Sequence, residues 1–346
     1  MSTPGPTLVT GATGFIGGRL ARRLVAAGAT VRVLVRDPRR LAPELRDAAQ
    51  IFEGDLAAVE PLRAAVRGAG VIFHCAANVN TWDTWPAYEA ANVDGVRNLA
   101  NAIGQQDPGL VRLVHLSTVD VYGYPAQPCD ELCATGGGSH DYGRSKSLGE
   151  AALRERAAAL GIGYTILRPA NVIGPGSQFI SRIGAELRSG VMITIDHGRA
   201  NAGLLYVDNL IDRMLWAAAS PRAAGQTYNV RDDYDVNWAQ MLERLRAGIR
   251  GRGLVINLPF GLADALARGA EALHRRFAPR VEPILHPLIV RMFGRTCGHS
   301  AQKIRDHSGL PDRVGWEEAM QRSVDWFLAA QQPPVVPSPS GRGSGA

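Results

Sequence analysis

Three glycines, Gly11, Gly14 and Gly17, stand three residues apart near the start of the chain, in the sequence LVTGATGFIGG of residues 8–18. The run before them, residues 7–10, is short, apolar and rich in β-branched residues, which predicts a buried strand. Leucines at helical spacing follow the glycines. The pattern therefore predicts a tight turn from a strand into a helix, in which the glycines allow unusual backbone conformations and close approach of a ligand.

Such a turn is suited to an anionic ligand. The amide groups at a helix N-terminus point outward, and the helix dipole behind them favours negative charge. A dinucleotide pyrophosphate fits this arrangement, although the spacing is G-x-x-G-x-x-G rather than the commoner G-x-G-x-x-G. Glycine turns also serve close packing of a strand on a helix, so the motif taken alone leaves that alternative open.

Beyond the turn, strand-like segments alternate with segments of helical periodicity. The strand-like segments lie at residues 30–36, 51–56, 70–77, 110–118 and 163–169, after the first at 7–10. The helical spacing between them is seen, for example, in Tyr88, Val93, Val96 and Leu99. This alternation predicts right-handed crossovers and an α/β fold of the Rossmann type, with a doubly wound parallel sheet.

The alternation loosens past about residue 172. We predict a nucleotide-binding Rossmann domain over residues 1–172 and a smaller, mixed C-terminal substrate-binding region over 173–330, parts of which return to the first domain. Residues 331–346 are mostly proline, serine and glycine with nothing to bury, so we expect this tail to be disordered.

Composition and cysteine usage predict a cytoplasmic globular protein. Apolar residues make up 46% of the chain and charged residues 20%. No apolar run reaches the roughly 20 residues of a membrane-spanning helix, and the N-terminus has no secretory pattern. Four scattered cysteines predict reduced thiols, and Cys129 and Cys133 lack a second pair for zinc, so we expect no metal. A homodimer is left open.

The end of the second strand bears on the type of dinucleotide. An acidic residue there would accept a hydrogen bond from the adenosine ribose of NAD. This chain has Arg36 instead, with Arg39 and Arg40 close behind, and a guanidinium suits a 2′-phosphate by charge and by bidentate geometry. Asp37 comes one residue late. The sequence therefore favours NADP(H) and leaves NAD(H) as the alternative.

Candidate catalytic groups follow two later segments. Tyr142 and Lys146 are four residues apart, which places them on one face of a helix. An ammonium near the phenol would lower its pKa toward the working range of an acid–base catalyst. Adjacent hydroxyls, Ser117 and Thr118, end the preceding strand, where open α/β sheets bind ligands. Such a hydroxyl can hydrogen-bond a substrate carbonyl beside the phenol.

Taken together, these segments resemble the extended short-chain dehydrogenase/reductases. The motifs occur in order over roughly residues 6–330: TGATGFIGG (10–18), GDL (54–56), HCAA (74–77), NVDGVRNL (92–99), STVDVYG (117–123), YGRSK (142–146), RPANVIGPG (168–176) and YVDNLID (206–212). The resemblance implies a catalytic trio of Thr118, Tyr142 and Lys146, in which the tyrosine exchanges the proton and the lysine also holds the nicotinamide ribose.

The resemblance also implies a set of cofactor-binding residues besides Ser117, Tyr142 and Lys146. Along the pyrophosphate we expect Gly11, Thr13, Gly14, Phe15, Ile16 and Gly17, and at the 2′-phosphate Arg36. At the adenine and ribose we expect Asp55, Leu56, Ala76 and Ala77. Asn92 is expected to brace a lysine–water relay, and Pro169, Asn171 and Val172 are expected at the nicotinamide.

Details of the motifs narrow the reaction. Sugar dehydratases have two adjacent acids after the threonine, whereas this chain has Val119 and then Asp120, which argues against dehydration. Trp82 and Trp85 stand where the 3β-hydroxysteroid dehydrogenase/isomerase branch has an aromatic-containing loop, and the C-terminal segment 300–327 resembles that branch as well. A hydrophobic substrate is therefore implied.

A charged segment near the C-terminus suggests a further contact. Residues 240–295 contain ten Arg and four Asp or Glu, without the aromatic and basic pattern of a nucleic-acid site. Within it, Leu262, Leu266, Ala270, Leu273 and Phe277 form an apolar helical stripe. One interpretation is a helix packed over the substrate cleft. The other is peripheral contact of residues 254–293 with the inner face of a membrane. The two are compatible.

The sequence thus predicts an NADP(H)-dependent oxidoreductase. It would interconvert a secondary alcohol and a ketone on a small hydrophobic substrate that is sterol-like, polyketide-like or 3-oxoacyl. Two alternatives remain: an NAD-dependent sugar-nucleotide epimerase, and a non-catalytic dinucleotide-sensing protein. No nucleic-acid partner is expected.

Overall fold

The computed structural model describes residues 5–106, 112–136 and 140–331. The expected disordered tail, 331–346, therefore lies outside the described residues except for Gln331. The strands within the described residues are β1 (Thr7–Thr10), β2 (Val31–Val35), β3 (Gln50–Glu53), β4 (Val71–His74), β5 (Arg112–Leu116), β6 (Tyr164–Pro169), β7 (Asn171–Ile173), β8 (Val191–Ile195), β9 (Leu204–Tyr206), β10 (Gln226–Val230) and β11 (Leu254–Leu258).

Helices alternate with these strands. They are α1 (Phe15–Ala26), α2 (Pro43–Ala48), α3 (Val59–Val66), α4 (Trp85–Glu89), α5 (Gly95–Gly104), α6 (Asp141–Leu160), α7 (Gln178–Ser189), α8 (Val207–Ala219), α9 (Trp238–Ile249), α10 (Phe260–Phe277), α11 (Pro287–Gly294), α12 (Gln302–Ser308) and α13 (Trp316–Ala330). A π-helical turn, Ala90–Asp94, joins α4 to α5. It explains why buried Tyr88 and Val93 are five residues apart instead of three or four.

Seven parallel strands form the central sheet, in the order β3-β2-β1-β4-β5-β6-β10. The Rossmann-type, doubly wound sheet predicted from the sequence is confirmed. The strand order reverses at β1, which has β2 on one side and β4 on the other. Ligands of open α/β sheets bind at such a reversal, beyond the carboxyl ends of the strands.

The sheet is covered on both faces because adjacent residues of each strand point to opposite sides. In β1, Leu8 packs in one core cluster with α3, α5 and α6, while Val9 packs in another with α1 and α8. Both side chains are fully buried, and each contributes about 1.5–3 kcal/mol of transfer free energy. This two-sided burial makes the carboxyl edge of the sheet a rigid platform.

The chain past residue 172 returns to the central sheet through β10, which pairs with β6. The same region forms two small parallel pairs, β7 with β9 and β8 with β11. Its helix α10 lies beside α11 at the edge of the site described below. None of the described helices is both long enough and apolar enough to span a membrane.

Candidate active site

The glycine turn lies at the carboxyl end of β1 and leaves no room for side chains. Gly11 has a φ of +73°, a left-handed conformation that favours glycine, and a Cβ there would lie 2.7 Å from the backbone nitrogen of Ala76. A Cβ at Gly17 would overlap the carbonyl of Gly11. Both glycines therefore allow strand β4 and helix α1 to approach β1 closely, as the packing alternative requires.

The same turn also leaves an anion-binding surface. No side chain caps the N-terminus of α1, whose N-cap is Gly14, and Thr13 and Gly14 are exposed. Phe15 and Ile16 are partly buried and begin the helix, so their amides face the space beyond the sheet. The turn between β1 and α1 lies where the strand order of the sheet reverses. These residues fit the pyrophosphate of a dinucleotide, so the turn suits both close packing and the predicted phosphate binding.

Arg36 follows directly after β2 and is exposed. The carboxylate of Asp37 does not compete for this arginine. It binds Arg39, with Nε to Oδ1 at 2.9 Å and Nη2 to Oδ2 at 3.2 Å, and it caps a short 3-10 helix. Within the described residues, Arg36 makes neither an ion pair nor a side-chain hydrogen bond. Its guanidinium is thus available to a ligand at this edge.

Two further predicted contacts lie at the ends of β3 and β4. Asp55 accepts hydrogen bonds from the amides of Ala57 and Ala58 at 2.9 Å through one carboxylate oxygen, and this fixes the turn that carries Leu56. The amide of Ala76 donates to Thr10 Oγ1 at 3.3 Å, and Ala77 follows it. The segment of Ala76 and Ala77 therefore borders the glycine turn, and the segment of Asp55 and Leu56 follows the end of β3. These are the places where the prediction puts the ribose and the adenine.

Tyr142 lies beside Thr118 because a glycine lets two elements touch. Gly143, in the first turn of α6, packs so closely on the backbone carbonyl of Asp120 that a Cβ there would overlap it. Asp120 belongs to the 3-10 helix Val119–Tyr122, which Thr118 caps. The phenol lies near the Thr118 hydroxyl, which lowers its pKa. The structure thus brings together two of the three predicted catalytic residues. Gly143 was not singled out from the sequence, although it stands between Tyr142 and Lys146.

The expected lowering of the Tyr142 pKa is wrong for this arrangement. Burial raises the pKa of the phenol well above its usual value, and the negative charge of Asp120 raises it further, while the neighbouring Thr118 hydroxyl lowers it. Asp120 is itself buried, which raises its pKa to about 6, and it accepts a hydrogen bond from Tyr124 at 2.6 Å. The phenol is therefore held in its protonated form, which is the form of a proton donor.

Lys146 is buried and bound to backbone. Its Nζ donates to the carbonyl of Leu116 at 2.6 Å, and burial lowers its pKa to about 8, although Glu150 and Cys75 favour the charged form. The ammonium therefore lies below the end of β5. The sequence placed Lys146 on the same helix face as Tyr142, but it could not show that a carbonyl binds the ammonium.

Asn92 lies in the π-helical turn and is buried. Its amide donates to the Asn78 carbonyl and to Ser145 Oγ, both at 2.9 Å, and its Oδ1 accepts from the Asn78 amide at 2.8 Å. The side chain thus links the segment after β4 to helix α6. Its backbone carbonyl packs against Gly149. The role in a lysine–water relay stays a prediction.

A buried ion pair under the site was missed from the sequence. Glu150, one turn beyond Lys146, binds Arg168 of β6 through two hydrogen bonds of 2.8 and 2.6 Å. Hydrogen bonds from Arg168 hold the pKa of Glu150 below its usual value despite burial. Arg168 also donates to the Tyr122 hydroxyl at 2.7 Å. The only sequence signal was an acid at i+8 from Tyr142. Ser117 is buried nearby.

The residues predicted at the nicotinamide end lie on β6 and β7. Pro169 is the last residue of β6, and Asn171 and Val172 belong to β7. Asn171 donates to the carbonyl of Ala202 at 2.7 Å, which ties β7 to the segment before β9. The loop after β7 reaches the glycine turn, since Phe15 contacts Gly176. The two predicted ends of the cofactor site are thus joined by contact.

A cleft in front of Tyr142 is covered by the segment around Trp82 and by α10. The indole of Trp82 donates to the carbonyl of Pro279 at 2.9 Å, and Arg275 lies 4.2 Å above the indole ring. Arg275 also binds Asp141 at 3.1 Å. The cleft is lined by Thr81, Trp82, Tyr88, His140, Asp141, Tyr142, Glu271, Arg275, His286, Pro287 and Leu288.

The second tryptophan of the predicted aromatic loop, Trp85, is not among the residues that line the cleft. The guanidinium of Arg144 lies 4.3 Å from its ring.

The predicted apolar stripe of α10 does not pack over this cleft. Leu262, Leu266, Leu273 and Phe277 are exposed, while the helix buries Ala263 and Ala267 instead. The polar residues Glu271 and Arg275 of α10 line the cleft. Helix α10 therefore lies at the cleft as expected, but it faces the cleft with polar side chains and not with the predicted apolar stripe. Periodicity showed an apolar face but not its direction.

Comparisons with known proteins assign the family. Residues 7–230 match the model of the NAD dependent epimerase/dehydratase family. The chain is 29% identical to 4-hydroxy-2-methyl-3-oxo-4-farnesyl-3,4-dihydroquinoline-1-oxide ketoreductase of Stigmatella aurantiaca, over 91% of this chain and 94% of that one. It is 28% identical to 2-alkyl-3-oxoalkanoate reductase of Stenotrophomonas maltophilia, over 91% and 97%.

The fold has solved counterparts. The structure of MoeE5 in complex with UDP-glucose and NAD matches with a TM-score of 0.76 and 22% identity, over 95% of this chain and 100% of that one. The chain therefore belongs to the NAD dependent epimerase/dehydratase family, within the extended short-chain dehydrogenase/reductases. It is an NAD(P)-dependent oxidoreductase or epimerase of that family.

Proposed function

We propose that this protein is an NADP(H)-dependent ketoreductase acting on a ketone or secondary alcohol of a hydrophobic molecule. The observation that carries the proposal is the position of Tyr142, which lies beside the Thr118 hydroxyl and lines a cleft, where burial raises the pKa of its phenol. A nicotinamide supplies or accepts a hydride when bound. The chain's own residues hold and move the proton and orient the substrate oxygen.

Each predicted catalytic residue has a distinct role in this proposal. The Tyr142 phenol donates its proton to the substrate oxygen during reduction and takes it back during oxidation. The Thr118 hydroxyl orients that oxygen beside the phenol, with Ser117 as a neighbouring hydroxyl. Lys146, bound to the Leu116 carbonyl at 2.6 Å, would hold the nicotinamide ribose.

The hydrophobic substrate is supported by the relatives. Trp82, Tyr88, Pro287 and Leu288 line the cleft beside the charged Asp141, Glu271 and Arg275. The two ketoreductase relatives are named for substrates with a farnesyl group or an alkyl chain. Asp120 is the only acid in the segment where dehydratases have two, so the structure supplies no second carboxylate there.

Replacement of Tyr142 by phenylalanine tests the proton donor. Loss of a general acid typically costs about 10²- to 10⁴-fold in rate, so Tyr142→Phe should lower kcat and kcat/KM together by that factor. The measurement is single-turnover oxidation of NADPH with an alkyl β-keto ester and a steroid ketone as substrates. Turnover of UDP-glucose, which consumes no net reductant, is followed with NAD as formation of the C4 epimer. NADPH binding by titration calorimetry should be unchanged.

The matched control is Tyr88→Phe. The two rings are 6.3 Å apart, but the Tyr88 hydroxyl donates to the carbonyl of Asn80 and has no role in proton transfer. We expect less than about a ten-fold loss. Equal rates for Tyr142→Phe and wild type would refute the mechanism, and turnover of UDP-glucose alone would favour an epimerase.

Arg36 is the proposed determinant of cofactor preference. A guanidinium pairs with a phosphate through charge-assisted hydrogen bonds of about 1.5–3 kcal/mol, so Arg36→Ser should weaken NADPH about 10- to 100-fold and leave NADH nearly unchanged. Calorimetric titration of both dinucleotides measures the difference. Arg39→Ser is the control, because that guanidinium binds Asp37. Equal losses of NADPH and NADH in Arg36→Ser would contradict this role.

A further inference from the structure

The outer face of α10 carries an unusual exposed apolar surface. Leu262, Leu266, Leu273 and Phe277 are 51, 53, 59 and 74% exposed, and they fall within an arc of about 60° at 100° per residue. We call these four residues the outer stripe. Val281 and Ile284 continue the exposed apolar surface past the end of the helix, at 57 and 82%.

Helix α10 is inverted relative to an ordinary surface helix. Three of its charged side chains face the protein: Glu271 and Arg275 line the cleft, and Asp264 binds the exposed Arg268 at 2.7 Å and approaches Arg291 at 3.8 Å. A helix on a water-facing surface presents the opposite arrangement, with its apolar stripe toward the core. The outer stripe is therefore an apolar surface left open on the outside of the described structure.

Arginines lie among these apolar side chains. Arg276 and Arg280 are exposed, and neither has a carboxylate within ion-pair distance among the described residues. The guanidinium of Arg276 lies 5.5 Å from the ring of Phe277. Long basic side chains that leave apolar neighbours to reach charged groups are typical of helices at a lipid headgroup layer.

We propose that the outer stripe, with Arg276 and Arg280, docks the protein on an anionic lipid bilayer. The leucines and Phe277 would enter the boundary of headgroups and acyl chains, and the two arginines would contact the anionic headgroups. A second copy of this chain is a poorer occupant, because an apolar contact between two outer stripes supplies no anionic partner for Arg276 and Arg280. The charge complementarity favours the bilayer.

The location of α10 gives the contact a consequence for the site. The polar side of this helix borders the cleft of Tyr142, and its apolar side would lie in the membrane surface. Docking would thus place the cleft at the level where an apolar substrate is dissolved. This proposal is independent of the ketoreductase assignment, since the vesicle binding that tests it needs no turnover.

Sedimentation with vesicles tests the proposal on the full chain. The protein is mixed at low salt with vesicles of phosphatidylcholine alone or with 30% phosphatidylglycerol (about the proportion that gives a strongly anionic surface). It should pellet with the anionic vesicles and be released as salt screens the arginines. Leu266→Glu should lower the partition coefficient at least about ten-fold, because it replaces a leucine that would be buried.

The matched control is Val59→Glu at the start of α3. Val59 and Leu266 are both 53% exposed, and both variants lose one apolar side chain and gain one negative charge. Val59→Glu should bind like wild type. The double variant Arg276→Gln/Arg280→Gln should lose about five-fold in binding for each arginine.

Three outcomes would overturn the proposal. They are no pelleting with anionic vesicles at low salt, equal losses for Leu266→Glu and Val59→Glu, and binding that salt does not weaken. A dimer seen by light scattering that Leu266→Glu dissociates, without vesicle binding, would assign the outer stripe to a second copy. Circular dichroism of each variant checks that it is folded.

Discussion

Helices α6 and α10 both turn charged side chains toward the protein, but these side chains are buried in α6 and partly exposed in α10. In α6, Lys146 and Glu150 are buried, and each is matched by a partner: the carbonyl of Leu116 for one and Arg168 for the other. In α10, Glu271 and Arg275 are a third exposed and 3.8 Å apart. Charged residues at the same i,i+4 spacing thus have separate buried partners in α6 and form a partly exposed pair at the rim of the cleft in α10.

The difference follows from the surroundings of each helix. Helix α6 is enclosed by the sheet and by α5, so its charges lie at low dielectric and must be satisfied by specific partners. Helix α10 has water on its polar flank, which screens its ion pairs, and its apolar stripe is more than half exposed. Breaking α6 should therefore affect stability and catalysis, whereas breaking α10 should affect docking.

The largest expected difference between the helices is in stability. Glu150→Gln leaves Arg168 buried without its carboxylate, which should cost about 3–5 kcal/mol of the free energy of unfolding. The same substitution on α10, Glu271→Gln, removes a partly exposed partner and should cost at most about 1 kcal/mol. Urea unfolding of both variants measures the losses. Similar losses would show that burial does not distinguish the two helices.

The same carboxylate gives the comparison a pH dependence. Because the pKa of Glu150 is lower in the folded protein than in the unfolded chain, its contribution to stability is present above the ordinary carboxyl range, about pH 4.3. That contribution is lost as the pH falls through the folded pKa. The stability difference between wild type and Glu150→Gln should therefore shrink in acid. A difference that stays constant from pH 7 to the acid limit would contradict the assignment.

A smaller effect is expected when a methyl group is added to each helix. Gly143→Ala in α6 would push its first turn away from Asp120, and the displacement of Tyr142 from Thr118 should lower kcat about 100-fold. Gly269→Ala in α10 has open space around the added Cβ and should stabilise the protein by about 0.5–1 kcal/mol without loss of rate. Steady-state kinetics and thermal unfolding measure both effects. A Gly143→Ala variant with wild-type kcat would mean that the close contact does not position the phenol.

Much of the fold could be predicted because it depends on local patterns. The first strand, Thr7–Thr10, matches its prediction, and the other predicted strands of the sheet, up to β6, agree with the structure to within about three residues at each end. Strand β10 was not predicted, since it joins the sheet after a long excursion of the chain. The site residues on the first helix turn and on α6 were found by spacing, which places Tyr142 and Lys146 on one face.

The sequence by itself determined the strand–helix alternation, the glycine turn and the order of the catalytic motifs, because these depend on periodicity and on backbone freedom over a few residues. Tertiary structure decided what each side chain contacts. It buried Tyr142 beside Asp120, which raised the phenol pKa instead of lowering it, and it turned the leucines of α10 outward. Burial and charge are set by residues distant in the chain. The residue pattern of one helix therefore shows that the helix has an apolar face, and only the tertiary structure shows whether that face contacts the protein or the outside.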